Sequence, residues 1–340
     1  MPVLPESRRA VAPVDEAIAA AVRVLHEGGL VGLPTETVYG LAALAHDHEA
    51  VARIFSVKGR PADHPLIVHI ADVSQLSEWA ASVPTYAVRL AEELWPGPLT
   101  LILPKQPQVS ALLTGGQDTV GLRVPSHPTA QQVIRAAGAV AAPSANRFGR
   151  VSPTTAHAVA EELADFLDER DLILDGGACA VGIESTIVDC TGSAPRILRD
   201  GFYGDEVISR TAGIAVDEKD WTSTPRVSGS LAAHYAPQTP VRLLDATQVN
   251  QLDPSELAEV WLLASADESI LGAALAAAAH VTRPPDASAY AQLLYATLRE
   301  ADTQQVTAVF AVPPLGQGIS VAIRDRLQRA AAGSAAGENR

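Results

Sequence analysis

Two cysteines in 340 residues, Cys179 and Cys190, are too few for a zinc site or a disulfide framework. The opening MPVLPESRRAVAPV contains no apolar run of signal-peptide length, so a disulfide is not expected and both thiols read as reduced core groups. No segment combines the length and freedom from charge of a membrane span; the Ala-rich run ending at Ala279 is preceded by Asp267 and Glu268. A basic excess is also missing. The formal net charge is −14, with 16 Lys/Arg against 25 Asp/Glu in residues 1–210 and 9 against 14 beyond, so neither half has the field of an autonomous duplex nucleic-acid binder. Aromatics make up only 4% of the chain, which leaves few rings to stack bases. These absences predict a cytoplasmic protein with no membrane association and no strong direct nucleic-acid binding.

The familiar nucleotide motifs are absent too. There is no GxxxxGK[ST], and Gly-Gly-Leu-Val-Gly at 28–32 precedes a predicted strand instead of opening a helix, so it lacks dinucleotide-fingerprint context. A phosphate site in this chain has to be built from side chains and from the backbone N–H groups of other loops. His46 and His48, two apart with Asp47 between them, read as solvated residues at a helix start, not as a metal pair. His26 stands before a helix stop and His127 in a Ser-His-Pro turn. Ser144 lacks the flanks of a nucleophile elbow, having Pro and Ala as neighbours and Asn two residues on.

What is present is a folded α/β pattern. Hydrophobic residues at 47% against 19% charged describe a globular protein, and 340 residues suffice for two cores. Helical spacing at 15–27 stops at Gly28-Gly29 before a short apolar strand at 30–33, and further strands are predicted at 66–70, 99–103, 119–124, 139–142, 172–174, 186–189 and 196–198. This is an α/β layer with a mixed sheet. Periodicity fades over 205–240, where WTSTPRVSGS reads as linker or lid. A second, smaller doubly wound domain follows. Its strands are expected at 241–244, 260–263, 280–282 and 306–312, with helices near 269–278, 287–300 and 319–330. The expected division is 1–205, 206–240 and 241–340.

Lys58-Gly59-Arg60-Pro61, Ala142-Pro143-Ser144-Ala145-Asn146 and Arg199 gather cations with hydroxyl and amide donors in an acidic chain. Fixed positive charge, a planar guanidinium fork and neutral donors together are what a polyphosphate needs. On an extended loop Lys58 and Arg60, two apart, point to one side. Arg123 stands on the apolar strand GLRVP, where an unpaired guanidinium is costly. It calls for a bound carboxylate or phosphate, or for an internal partner such as Glu36 or Glu184.

These blocks occur in an order that resembles the YrdC/Sua5 family, the threonylcarbamoyl-AMP synthases of the tRNA t6A pathway: GLPTETVYGL from Gly32, KGRPADHPLIVHI from Lys58, WPGPLTLIL from Trp95, VGLRVP from Val120, APSAN from Ala142 and GIESTIVD from Gly182. Ser228-Gly229 and His234-Tyr235-Ala236-Pro237 look like the linker of the long, two-domain Sua5 type. The resemblance implies a YrdC-like twisted mixed sheet joined to a smaller Rossmann-like α/β domain. It also implies condensation of L-threonine, bicarbonate and ATP to threonylcarbamoyl-AMP and pyrophosphate, with Mg2+ held mainly by the ATP phosphates and a downstream threonylcarbamoyl transferase as recipient. Lys58, Arg60, His64, Thr119, Ser144, Asn146, Ser152, Arg199 and Tyr235 then match nucleotide-binding positions, Lys58 and Arg60 carrying the catalytic charge. Thr37, His69, Arg123, Ala142 and Ser185 match the amino-acid pocket. His64 departs from the pattern, which usually has Asn there, and Ser228-Gly229 stands where Pro-Gly and a basic residue are expected. Two alternatives use the same domain or cleft. One is the carbamoyl-adenylate former embedded in hydrogenase-maturation carbamoyltransferases, whose upstream zinc-finger region this two-cysteine chain lacks. The other is an RNA-binding translation factor, against which the charge balance argues.

Overall fold

In the computed structural model, which describes residues 14–217, 225–229, 234–266, 271–304 and 306–335, strands and helices alternate largely as the apolar pattern predicts. Nine strands form the first sheet among the described residues: β1 (Val31–Leu33), β2 (Gly40–Leu44), β3 (Ile67–His69), β4 (Leu99–Pro104), β5 (Thr119–Arg123), β6 (Val140–Ala141), β7 (Leu172–Ile173), β8 (Thr186–Asp189) and β9 (Arg196–Arg199). Their order is β7-β1-β2-β6-β3-β5-β4-β8-β9. The sheet is mixed: β1/β7, β3/β5 and β4/β8 are parallel, and the remaining neighbours are antiparallel.

Alternation along the strands divides the core between two faces. On β2, Leu41 and Ala43 join one apolar cluster with Val51 and Ile54 of helix His48–Lys58. Ala42 joins the other, with Ala21 and Leu25 of helix Val14–His26 and Val133 and Ile134 of helix Pro128–Ala137. The β4–β8–β9 end is different. Leu101 and Leu103 face the larger cluster, whereas Ile102, Ile187 and Leu198 form a separate group with Val227, and none of its members is helical. A short extended segment, not a helix, covers this stretch of sheet.

A second unit has its own parallel sheet, β10 (Val241–Leu243), β11 (Val260–Ala264), β12 (His280–Thr282) and β13 (Ala308–Val312), in the order β10-β13-β11-β12. The chain steps outward to β12 and then returns across β11 to β13, which is the reversal of a doubly wound fold. Helices Ala287–Ala301 and Ile319–Ala335 follow the predicted pattern, and Gly272–Ala277 accounts for the described part of the helix expected near 269–278. The first compact unit comprises Met1–Phe148, Pro153–Ala180 and Glu184–Ser230; the second comprises Gly149–Ser152, Val181–Ile183 and Leu231–Arg340.

The stretch read as aperiodic from 205 begins instead with a helix, Asp205–Ala212, whose Ile208 and Ala212 are buried in the first core. Two apolar contacts in a short acidic helix leave too weak a periodic mark to read from sequence. Both cysteines are buried and free. Among the described residues no helix is long and apolar enough to cross a membrane.

Candidate active site

Strand alternation places a set of functional side chains on one face of the sheet. Thr119, Gly121 and Arg123 share one side of β5, and Ile67 and His69 share one side of β3. The two strands are parallel and in register, Ile67 opposite Gly121 and His69 opposite Arg123. Ile67, Ile102, Gly121 and Ile187 line a small, partly open pocket with Thr119, Gln117 and the segment Arg226-Val227-Ser228.

The phosphate-type residues converge through that segment. Arg199 donates from Nη1 to the Ser228 carbonyl at 2.9 Å and, from Nε and Nη2, to the Ser185 carbonyl at 3.1 and 3.0 Å. Arg60 Nη2 reaches Ser228 Oγ at 3.5 Å and donates to the Pro65 carbonyl at 2.9 Å. Thus Arg60 and Arg199, distant in sequence, both reach Ser228, which lines the same pocket as Thr119. Gln117 was not read as functional. Its amide donates to the Arg226 carbonyl at 3.1 Å and accepts from the Arg226 N–H at 2.7 Å, imitating a strand partner. A side chain pairing with a backbone 109 residues away leaves no periodic trace in sequence.

Lys58 is placed otherwise than the extended-loop reading suggested. It ends helix His48–Lys58, and Gly59 caps that helix in the left-handed conformation at φ 61°, where a Cβ is disfavoured. Lys58 Nζ donates to the Ser144 carbonyl at 2.5 Å and to the Asn146 carbonyl. The loop returns the contact: Arg147 Nη1 donates to the Val57 carbonyl at 2.6 Å and the Phe148 N–H to the Lys58 carbonyl at 2.8 Å, satisfying carbonyls left open at the helix end. Lys58, Ser144 and Asn146 are therefore together, as expected from their motifs, and Arg147 is the lock that sequence reading missed. Burial first, and then the neighbouring Arg60, holds the Lys58 ammonium well below its usual range. His64 is also lowered, by burial and then Arg60, and sits edge-on to Phe148 at 5.2 Å.

Of the residues matched to an amino-acid pocket, Arg123 and His69 stand opposite each other, whereas Ser185 is held by Arg199. Arg123, 4% exposed, lies 2.7 Å from the Glu36 carboxylate, the internal partner foreseen for it. Glu36 Oε2 also accepts from the Ser126 N–H at 3.1 Å. The N–H directions of Arg123 miss the carboxylate, so Nε and Nη2 make no hydrogen bond among the described residues. A buried guanidinium with donors unspent retains capacity for another acceptor. His69 is buried, with its pKa lowered to about 3 by burial and then by Arg123. Its Nδ1 lies 3.3 Å from the Ile67 carbonyl, which only accepts, so Nδ1 carries the proton and Nε2 is the acceptor. Ser185 Oγ shares a 2.8 Å hydrogen bond with Thr100 Oγ1, and Thr37 is tied to Thr35 Oγ1 through both its hydroxyl and its N–H, at 2.9 and 3.2 Å. Ala142 donates its N–H to the Ile67 carbonyl at 3.2 Å. The Cys179 thiol is pushed up to about 12 by burial and then by Glu36.

Ser152 and Tyr235 do not belong to the first unit. Both fall in the second, Ser152 with no exposure and Tyr235 with 1%. The Tyr235 ring stacks on Tyr295 at 5.6 Å and lies under the Arg326 guanidinium at 5.2 Å, both partners in the second unit. Among the described residues no cluster of three or more His, Cys, Asp or Glu forms a metal cage.

Comparison with known proteins bears on this arrangement. A Sua5/YciO/YrdC family model, described as "Telomere recombination", matches residues 23–201, and one described as "Threonylcarbamoyl-AMP synthase, C-terminal domain" matches residues 204–332. The threonylcarbamoyl-AMP synthase of Pyrococcus abyssi is 39% identical over 321 residues, covering 92% of this chain and 93% of that protein. The Bacillus subtilis threonylcarbamoyl-AMP synthase is 38% identical over 340 residues, with 94% of each covered. The crystal structure of P. abyssi Sua5 complexed with L-threonine superposes with a TM-score of 0.83 at 35% identity, covering 96% of both chains.

Proposed function

Because the chain belongs to the Sua5 family of threonylcarbamoyl-AMP synthases, we propose that its two side-chain groups divide the reaction between them, Arg123 and its neighbours holding threonine and the Lys58–Arg60–Arg199 group holding ATP. The activity is synthesis of L-threonylcarbamoyl-AMP from L-threonine, bicarbonate and ATP, with release of pyrophosphate. The observation that carries the residue assignment is the shared sheet face on which Thr119 and Arg123 stand on one side of β5, with His69 opposite Arg123 on β3.

In this reading the threonine carboxylate takes the donors that Arg123 leaves unspent, and His69 Nε2 accepts from the threonine hydroxyl. Thr37, Ala142 and Ser185 complete the pocket. The amine nitrogen adds to the bicarbonate carbon, water leaves, and a carbamate oxygen attacks the α-phosphorus as the α–β bridging oxygen departs with pyrophosphate. No covalent enzyme intermediate is needed. The protein places carbamate and leaving group in line and stabilises charge on the phosphoryl oxygens.

Arg60 and Arg199 supply fixed charge for the phosphates, with Thr119, His64, Ser144, Asn146, Ser152 and Tyr235 as further nucleotide contacts or supports. Lys58 acts in two ways. It shapes the Ser144–Asn146 loop through two carbonyls, and an arriving polyanion would favour its charged form by opposing the burial that depresses its pKa. Mg2+ enters as part of the ATP substrate, held by phosphate oxygens and water. The Ser228 contacts to Arg60 and Arg199 fit a lid laid over the phosphate site, which bound ATP would rearrange. The product passes to a downstream threonylcarbamoyl transferase that modifies tRNA, and the enzyme works in the cytoplasm.

Pyrophosphate release with ATP and bicarbonate, scanned over amino acids, tests the assignment. Threonine-dependent release is expected. Release with carbamoyl phosphate in place of threonine and bicarbonate would instead identify a carbamoyl-adenylate former.

A further inference from the structure

The second unit contains two short pieces of chain that arrive well before residue 231, Gly149–Ser152 and Val181–Ile183. Each adjoins a candidate site residue: Asn146 lies three positions before the first piece, Ser152 ends it, and Ser185 lies two positions after the second. The contacts within the second unit that hold them are specific. Ala236 donates its N–H to the Gly149 carbonyl at 3.0 Å, and Arg150 pairs with Ala236 as an isolated parallel bridge. Arg299, in the last turn of helix Ala287–Ala301, donates from Nη2 to the Val151 carbonyl. At Gly182, with φ 81°, a Cβ would stand 2.4 Å from Gln292 Cα of the same helix. One helix thus meets both pieces.

We infer that Arg299 is a positioning residue for nucleotide binding, fixing the Val151–Ser152 peptide and through it the Ser144–Asn146 loop, so that this helix of the second unit acts on the substrate site without touching substrate. This rests on the nucleotide role proposed above for Ser152. A guanidinium suits that role because it stays charged and holds its donors in a rigid plane, so a single carbonyl contact fixes the peptide direction. Val151 and Ser152 are themselves buried, which leaves the peptide little room to settle elsewhere once the donor is removed. The family resemblance of the catalytic motifs gives no hint of it, since Arg299 lies 147 residues beyond Ser152 in a segment read only as a helix.

The test measures ATP and threonine affinity by calorimetry on the full-length protein and its Arg299→Met, Arg299→Lys and Ser152→Ala variants. Arg299→Met keeps the aliphatic stem and hence the packing, but removes the donor. Its ATP affinity is expected to fall at least ~10-fold with threonine affinity within about twofold, and Arg299→Lys, which retains one charged donor, to recover most of the loss. Parental ATP affinity in Arg299→Met, or equal loss for both ligands with a lowered melting temperature and no recovery in Arg299→Lys, overturns the inference. Weakened ATP binding in Ser152→Ala with none in Arg299→Met overturns it while leaving the site assignment standing. No loss in Ser152→Ala overturns both.

Discussion

Arg123 and His69 stand opposite one another in the parallel β5–β3 register, and the guanidinium adds to burial in disfavouring a charged imidazole. The Glu36 carboxylate neutralises Arg123 in the absence of ligand, which makes a buried guanidinium tolerable while leaving its Nε and Nη2 donors without hydrogen bonds. Replacement by lysine keeps the charge but not the fork, so Arg123→Lys is expected to weaken threonine at least ~10-fold and to change ATP affinity little. Equal loss for both ligands together with a lower melting temperature would assign Arg123 to structure alone. His69 gives a pH effect. Its folded pKa of about 3 lies below the ordinary 6.5, so the unfolded chain takes up a proton that the native state refuses. Its contribution is intact above pH 6.5 and is lost progressively as pH falls from 6.5 toward 3. Urea unfolding at pH 7.5 and pH 5 is expected to show a smaller drop in stability for His69→Gln than for the parent, and an identical drop in both would rule out this histidine as a source.

At the level of elements, β4 and β5 were legible as short apolar runs, whereas β2, with the sequence GLAAL, was not expected, because small residues buried along its length leave little pattern to read. The regularity of β5 located half of the candidate site, since Thr119 and Arg123 on one strand must face one way. What sequence reading missed are contacts that replace regular pairing. Arg147 and Phe148 close the end of helix His48–Lys58, and Gln117 pairs with the Arg226 backbone, through single groups whose partners are remote in sequence. The Arg226–Ser228 segment is the element most exposed to test. Val227 lies over Ile102, Ile187 and Leu198, so Val227→Asp puts a carboxylate on an apolar floor and should lift the segment, at a cost of ~1–3 kcal/mol to its docking. If the segment is a lid that keeps water from the reactive adenylate, the variant forms less threonylcarbamoyl-AMP per pyrophosphate released, the balance being lost to hydrolysis. A parental product ratio at any rate of turnover would reduce the segment to a connector.

Over the whole molecule, the division into 1–205, 206–240 and 241–340 expected from composition follows chain order, whereas the compact units do not, because Gly149–Ser152 and Val181–Ile183 group with the later residues. No local pattern announces this. Both pieces are short, flanked by motif residues, and recruited by contacts from residues more than fifty positions further along. The consequence is a different view of what the second unit contributes. A tether could be exchanged or shortened without reaching the chemistry, but under the proposed assignment a unit that takes in Ser152 and Tyr235 and adjoins Asn146 and Ser185 in the chain would help to hold the site. Helix Asp205–Ala212 also shows where a cut must not fall, since Ile208 and Ala212 complete the first core. A chain ending at residue 217 retains that helix and loses the Arg226–Ser228 segment, Tyr235 and the grip on both pieces. It is expected to fold, with far-UV circular dichroism and a cooperative melt, to bind ATP at least ~10-fold more weakly than the full chain, and to make little threonylcarbamoyl-AMP. Ending the chain at residue 230 restores the Arg226–Ser228 segment alone, so recovery of product yield without recovery of ATP affinity would separate the covering role of that segment from the positioning role of the second unit. Full ATP affinity in the 217-residue chain would show that the second unit holds nothing the site needs.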